Sequence, residues 1–238
     1  LFSQEWLIAE DNYIRFGPKF INTKEFEFFN GNQRILLEDQ NNGKGLKFSL
    51  TNFNLNELNR FLDPESFILR GNIYDFDVSV QDVFKMQGLE TSFLTDTFFV
   101  NSKPYGSLSG NLEMEDLSAP LYYKIFLQEK SVQRLRLAGA WLPNASQSLY
   151  SEVVESNLTS GEIFASATIN EFPFEIIETF IPDISKTAGK FNANLLISGS
   201  PDQIGASGMV NITEGQFQLD YLKSMFHLKN QQLKISKN

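Results

Sequence analysis

The sequence predicts an all-β fold made of one large sheet or several, and three observations carry that expectation. Apolar and polar residues alternate over runs of five to eight positions, which is the period of a half-buried strand. Turn pairs such as Asn30-Gly31, Gly71-Asn72, Ser160-Gly161 and Ser200-Pro201 separate those runs. The apolar content, 42% of 238 residues, is weighted toward phenylalanine, which occurs 23 times, and aromatic side chains favour strands.

In chain order, the first alternating run holds Phe26 and Phe28, and the next is Leu46, Phe48 and Leu50 with polar residues between them. Over 54–62 the period changes. Leu55, Leu58, Phe61 and Leu62 stand three and four apart, predicting a short amphipathic helix closed by Pro64. Alternation resumes with Tyr74, Phe76, Val78 and Val80, then Tyr123, Ile125 and Leu127, then Ile163, Ala165, Ala167 and Ile169. A second helix is expected over 174–181, with Phe174, Ile177, Phe180 and Ile181 on one face and Pro182 at its end. The strands of Phe191, Ala193, Leu195 and Ile197, and of Phe217 and Leu219, follow.

The two helices belong to an internal repeat. At an offset of 119, Phe53 aligns with Phe172, Leu55 with Phe174, Leu58 with Ile177, Phe61 with Phe180 and Leu62 with Ile181. The strands before them align too, and Gly71 and Gly189 follow with a one-residue slip. This divides the chain into units 1–119 and 120–238. A weaker match of 230–238 with 4–12 raises the expectation that both are a window on a longer array.

Composition narrows the functional classes. A formal charge of −9, without a basic cluster interleaved with aromatics, argues against a nucleic-acid partner. No apolar run approaches the ~20 residues of a membrane-spanning helix. With no cysteine and a single histidine, His227, the chain offers neither a zinc site nor a Ser-His-Asp triad. Asp75 and Asp77 alternate with Phe76, so their simplest role is to mark the solvated side of a strand. Asn144, Asn157 and Asn211 fit the glycosylation pattern, which keeps a secreted β-sandwich adhesion module in view. The expectation is a protein without catalytic, cofactor-binding or metal-binding residues, and not an enzyme.

Residues 172–199, FPFEIIETFIPDISKTAGKFNANLLISG, and 205–238, GASGMVNITEGQFQLDYLKSMFHLKNQQLKISKN, resemble the C-terminal region of the TamB family, the translocation and assembly module subunit of the AsmA-like, repeating β-groove proteins, in its Bacteroidetes type. The shared pattern is an "FP" entry, a short helix ending in "IP", a glycine-flanked strand pair and a late "DYL". Residues 12–37 and 46–71 follow the same rhythm. The resemblance implies a long curled sheet, a β-taco with a hydrophobic inner face. It further implies a periplasmic protein, held in the inner membrane by an N-terminal segment outside these residues and reaching an outer-membrane insertase barrel of the TamA or TamL type. Two functions compete under it: passage of phospholipid acyl chains between the membranes, and a scaffold for outer-membrane protein assembly and secretion.

A sheet with one apolar face must cover that face, close into a barrel or leave it as a lined trough. Covered by a second sheet, it would be a β-sandwich binding or adhesion module. As a trough, its candidate lining is Phe26, Phe28, Leu46, Phe48, Leu50, Tyr74, Phe76, Val78, Val80, Ile125, Leu127, Ile163, Ile169, Phe191, Leu195 and Ile197. The helices would act as lids or gates through Leu58, Phe61, Ile177 and Phe180.

Overall fold

The computed structural model describes residues 5–24, 26–61, 68–100, 103–142, 161–181, 183–200 and 202–236, with the backbone alone at 60, 61, 179 and 180. Seventeen strands are present among them: β1 (Leu7–Ile8), β2 (Tyr13–Gly17), β3 (Phe20–Lys24), β4 (Phe26–Asn30), β5 (Gln33–Gln40), β6 (Gly45–Asn54), β7 (Leu69–Arg70), β8 (Asn72–Asp82), β9 (Gln87–Val100), β10 (Lys103–Met114), β11 (Leu121–Glu129), β12 (Val132–Trp141), β13 (Ile163–Pro173), β14 (Ile184–Ser200), β15 (Gln203–Leu219), β16 (Ser224–Leu228) and β17 (Gln231–Ile235).

Fifteen strands form one antiparallel sheet that does not close. Its order is β1-β4-β5-β6-β8-β9-β10-β11-β12-β13-β14-β15-β16, with β17 also on β15 and β7 on β9. Sequence-adjacent strands are mostly neighbours, as short turns between alternating runs require. The fold is all-β. A separate two-stranded sheet, β2 with β3, is the only other sheet among the described residues.

Both helical segments are tighter than the sequence suggests. Leu55–Phe61 is 3-10 helix, and Phe174–Ile176 is 3-10 helix continued by a single α-turn, Ile177–Phe180. Short 3-10 turns are frequent connectors, and the seven-residue run Leu55–Phe61 is longer than most. Asn54 ends β6, and its side-chain oxygen accepts from the Asn56 amide at 2.9 Å, which starts the first segment. The two segments follow β6 and β13, strands of equal direction in the alternating order, so they lie at the same end of the sheet.

The offset of 119 also relates details that the apolar pattern does not encode. Asn52 and Glu171 both adopt positive φ, at 52° and 43°, just before the buried pair Phe53 and Phe172. Leu55 and Phe174 are both buried, and Leu58 and Ile177 both half-buried. One residue off that spacing, Gly71 and Gly189 both have positive φ where a side chain would strike the next strand: Thr97 O at 2.9 Å and Glu214 O at 2.6 Å. The position between 119 and 120 falls in the turn joining β10 to β11, which pair along seven positions, so hydrogen bonding continues across it.

Candidate functional site: one apolar face across the sheet

Strand register lines up apolar residues from one edge to the other. One row reads Ile8, Phe28, Ile35, Leu50, Phe76, Phe93, Gly110, Ile125, Leu137, Ala167, Leu195, Gly208 and Ile235, each directly opposite the next. Beside it run Phe26, Leu37, Phe48, Val78, Thr91, Leu112, Tyr123, Gly139, Ala165, Ile197 and Ala206, with Thr91 as the one polar member. The intervening positions point the other way and form a largely polar row: Ser49, Asp77, Ser92, Asn111, Lys124, Ala138, Ser166, Leu196 and Ser207. At about 4.8 Å between strands, the first row runs roughly 58 Å along the sheet.

Two glycines in these rows are overlaid by aromatic side chains from the neighbouring strand. A Cβ on Gly110 would sit 2.7 Å from the Phe93 ring, and one on Gly139 would sit 2.8 Å from the Tyr123 hydroxyl. The aromatic groups therefore lie along the sheet and form its apolar surface.

At the helical end the face is closed by an aromatic cluster. Phe98 stacks on Tyr105 at 5.9 Å, Tyr105 on Phe172 at 6.0 Å, and Phe172 and Phe174 both meet Phe191, at 5.7 and 6.5 Å. Leu127 and Leu135 pack beneath it. The β11–β12 hairpin turns at Lys130, while its neighbours extend farther and bend over its tip, helped by positive φ at Gly106 and Glu171. Lys103 then reaches across to Glu178 at 2.8 Å. Burial of Glu178 pushes its carboxyl upward, but hydrogen bonds from Lys103 and from the Thr187 amide and hydroxyl outweigh this and hold it below the ordinary glutamate value.

On the polar face Asp77 accepts from Ser49 at 2.5 Å and pairs with Lys47 at 3.1 Å. Burial raises its pKa, and these two partners more than reverse that, leaving it lowered. Asp75 and Asp77 thus face away from Phe76, the arrangement their alternation suggests. His227 is exposed on β16.

Fifteen of the sixteen candidate lining residues share the apolar side: Phe26, Phe28, Leu46, Phe48, Leu50, Phe76, Val78, Val80, Ile125, Leu127, Ile163, Ile169, Phe191, Leu195 and Ile197. Leu127, Ile169 and Phe191 belong to the closed end rather than the open stretch. Tyr74 does not join them. A β-bulge makes it the extra residue between the pairs Ile73–Thr95 and Asp75–Leu94, so it is 43% exposed with its hydroxyl directed at Asp96, 3.5 Å away. Of the helix residues, Leu58 and Ile177 are half-buried, while the side chains of Phe61 and Phe180 lie outside the described residues, as do Asn144 and Asn157.

Sequence reasoning missed Leu89, Phe93, Leu112, Leu135 and Leu137, although Leu89-Thr91-Phe93 and Leu135-Leu137 alternate plainly. It also missed Phe98 and Tyr105, whose partners stand far away in sequence. Among the described residues, no helix is long and apolar enough to cross a membrane. No family model, curated protein or solved structure matches this chain.

Proposed function

We propose that the apolar face shelters phospholipid acyl chains, as one segment of a periplasm-spanning protein that passes lipid between the inner and outer membranes. The observation that supports this most is the thirteen-residue apolar row continuing through strand after strand. An ordinary enclosed core has no need of a row of that length. One leaflet of a bilayer is about 15 Å of hydrocarbon, so the row offers room for several chains end to end. Each buried methylene contributes about 0.8 kcal/mol, and an apolar face left in water has reason to be filled. The TamB resemblance supplies the compartment, the inner-membrane anchor and a TamA- or TamL-type barrel partner as parts of the same proposal, together with a non-enzymatic role.

The test is native mass spectrometry with lipid extraction on the purified chain expressed in a bacterium with two membranes. Phospholipid should copurify in a reproducible ratio and be lost in Phe48→Asp and Phe76→Asp, two variants in the open stretch of the face. A folded, lipid-free wild type would overturn the reading.

One observation favours the family's second function. Among the described residues the β17 strand pairs with β15 alone, and all five of its residues are exposed, which leaves an edge that can accept another strand by augmentation. Crosslinking of that edge to nascent outer-membrane β-strands, with lipid absent, would favour the scaffold role.

A further inference from the structure

The β2–β3 hairpin pairs as a sheet of its own and differs from the large sheet in surface and charge. We propose that it is a finger that docks on the surface of an anionic lipid bilayer, a role that stands whether or not the apolar face carries lipid.

Its base is held firmly. Thr23 donates from its amide and its hydroxyl to Asp39 Oδ1 at 2.7 and 3.0 Å, and the Asp39 amide donates back to Thr23 Oγ1 at 2.7 Å. Gly43 lies so close to this hairpin that a Cβ there would be 2.9 Å from Ile21 O. The hairpin is therefore a fixed projection, and exposure at its tip is built into the fold.

That tip is apolar and largely exposed, with the Phe20 ring lying over Gly17. Phe16 is 73% exposed and Phe20 45%, with exposed Pro18 between them. Phe16 pairs with Ile21 and Phe20 with Gly17, which puts the two rings on opposite faces of the ribbon. Packing one face on the parent protein would still leave the other ring in water. A medium that surrounds the tip accommodates both.

Charge selects that medium. Residues 13–24 contain Arg15, Lys19 and Lys24 and no acid, a net +3, so the other 226 residues carry −9 − 3 = −12. All three are exposed, Arg15 and Lys19 beside the rings and Lys24 at the base of the hairpin opposite Tyr13. Cations flanking aromatic side chains match the headgroup and acyl boundary of a membrane with anionic lipids, to which the rest of this acidic chain is repelled.

The experiment is cosedimentation of the full chain with phosphatidylcholine vesicles, with and without phosphatidylglycerol. Wild type should pellet with the anionic vesicles only, and should be released in about 1 M salt, where the Debye length falls to roughly 3 Å. Phe16→Ser with Phe20→Ser, and Arg15→Glu with Lys19→Glu, should each weaken partition about tenfold or more, with unchanged circular dichroism. Phe48→Asp should still bind, which separates this site from the apolar face. Because the chain has no cysteine, Pro18→Cys carries a single polarity-sensitive dye at the tip, and its emission should shift to the blue on anionic vesicles. Equal pelleting of wild type and both double variants, equal pelleting with neutral vesicles, or an unshifted dye would overturn the proposal. Capture by a protein partner in place of vesicles would do the same.

Discussion

Tyr105 in β10 stacks on Phe172 in β13 with ring centroids 6.0 Å apart, although β11 and β12 lie between their strands. On a flat sheet those strands would be about 14 Å apart. The contact exists because the outer strands outrun the β11–β12 hairpin and bend over its tip, so this pair both records the curl and seals one end of the face.

Removing either ring should open that end. Tyr105→Ala or Phe172→Ala should each cost about 3–5 kcal/mol, the range for large aromatic side chains in a core. The double variant should fall short of the sum, with a coupling of about 0.5–1.5 kcal/mol. Urea unfolding of the four proteins measures this.

The register of the apolar row can be tested at two adjacent residues. Leu195 lies in the row, opposite Ala167 and Gly208, whereas Leu196 is on the other face and 52% exposed. Leu195→Asp should lower stability and bound lipid, while Leu196→Asp should stay within about 0.5 kcal/mol of wild type. Equal effects would mean that the two faces are not distinct in solution.

Gly110 admits the Phe93 ring from the next strand. A Cβ there would meet both that ring and Lys124 O at 2.7 Å, so Gly110→Val should destabilise the sheet by about 1–3 kcal/mol through overpacking. A lowered melting temperature with unchanged secondary structure is the expected readout.

Acid should loosen the closed end. The Glu178 carboxyl has a lower pKa folded than unfolded, so its contribution is present above the unfolded value of ordinary glutamate and is lost as pH falls through the lowered folded value. Wild type should lose stability over that acid window more than Glu178→Gln does. Urea titrations at several pH values compare them.

The hairpin depends on Asp39. Asp39→Ala leaves the Thr23 amide without its acceptor, a loss of about 1–3 kcal/mol for a buried donor and less for this half-buried one. Hydrogen exchange should accelerate in residues 13–24 and remain slow in β8 to β14.

The sequence by itself determined the strand content, the apolar side of most strands and the helical insertions, because period-two and period-three-to-four patterns are local properties of side chains on a strand or a helix. Asp75 and Asp77 could be placed on the solvated side from their neighbours alone, and the repeat could be read from apolar positions at one offset. Tyr74 shows where this fails: a one-residue bulge removes it from its row, and bulges leave no reliable mark in apolar alternation. Only the tertiary structure decided that fifteen of the strands form a single open sheet, that their rows align across thirteen strands, and that Phe98, Tyr105, Phe172 and Phe191 converge. Those facts depend on register and curvature, which are set by pairing and by backbone bends at Asn52, Gly106 and Glu171. The exposure of Phe16 and Phe20 was equally invisible, because alternation distinguishes two faces of a strand but does not reveal that the tip of one hairpin leaves a ring exposed on each face.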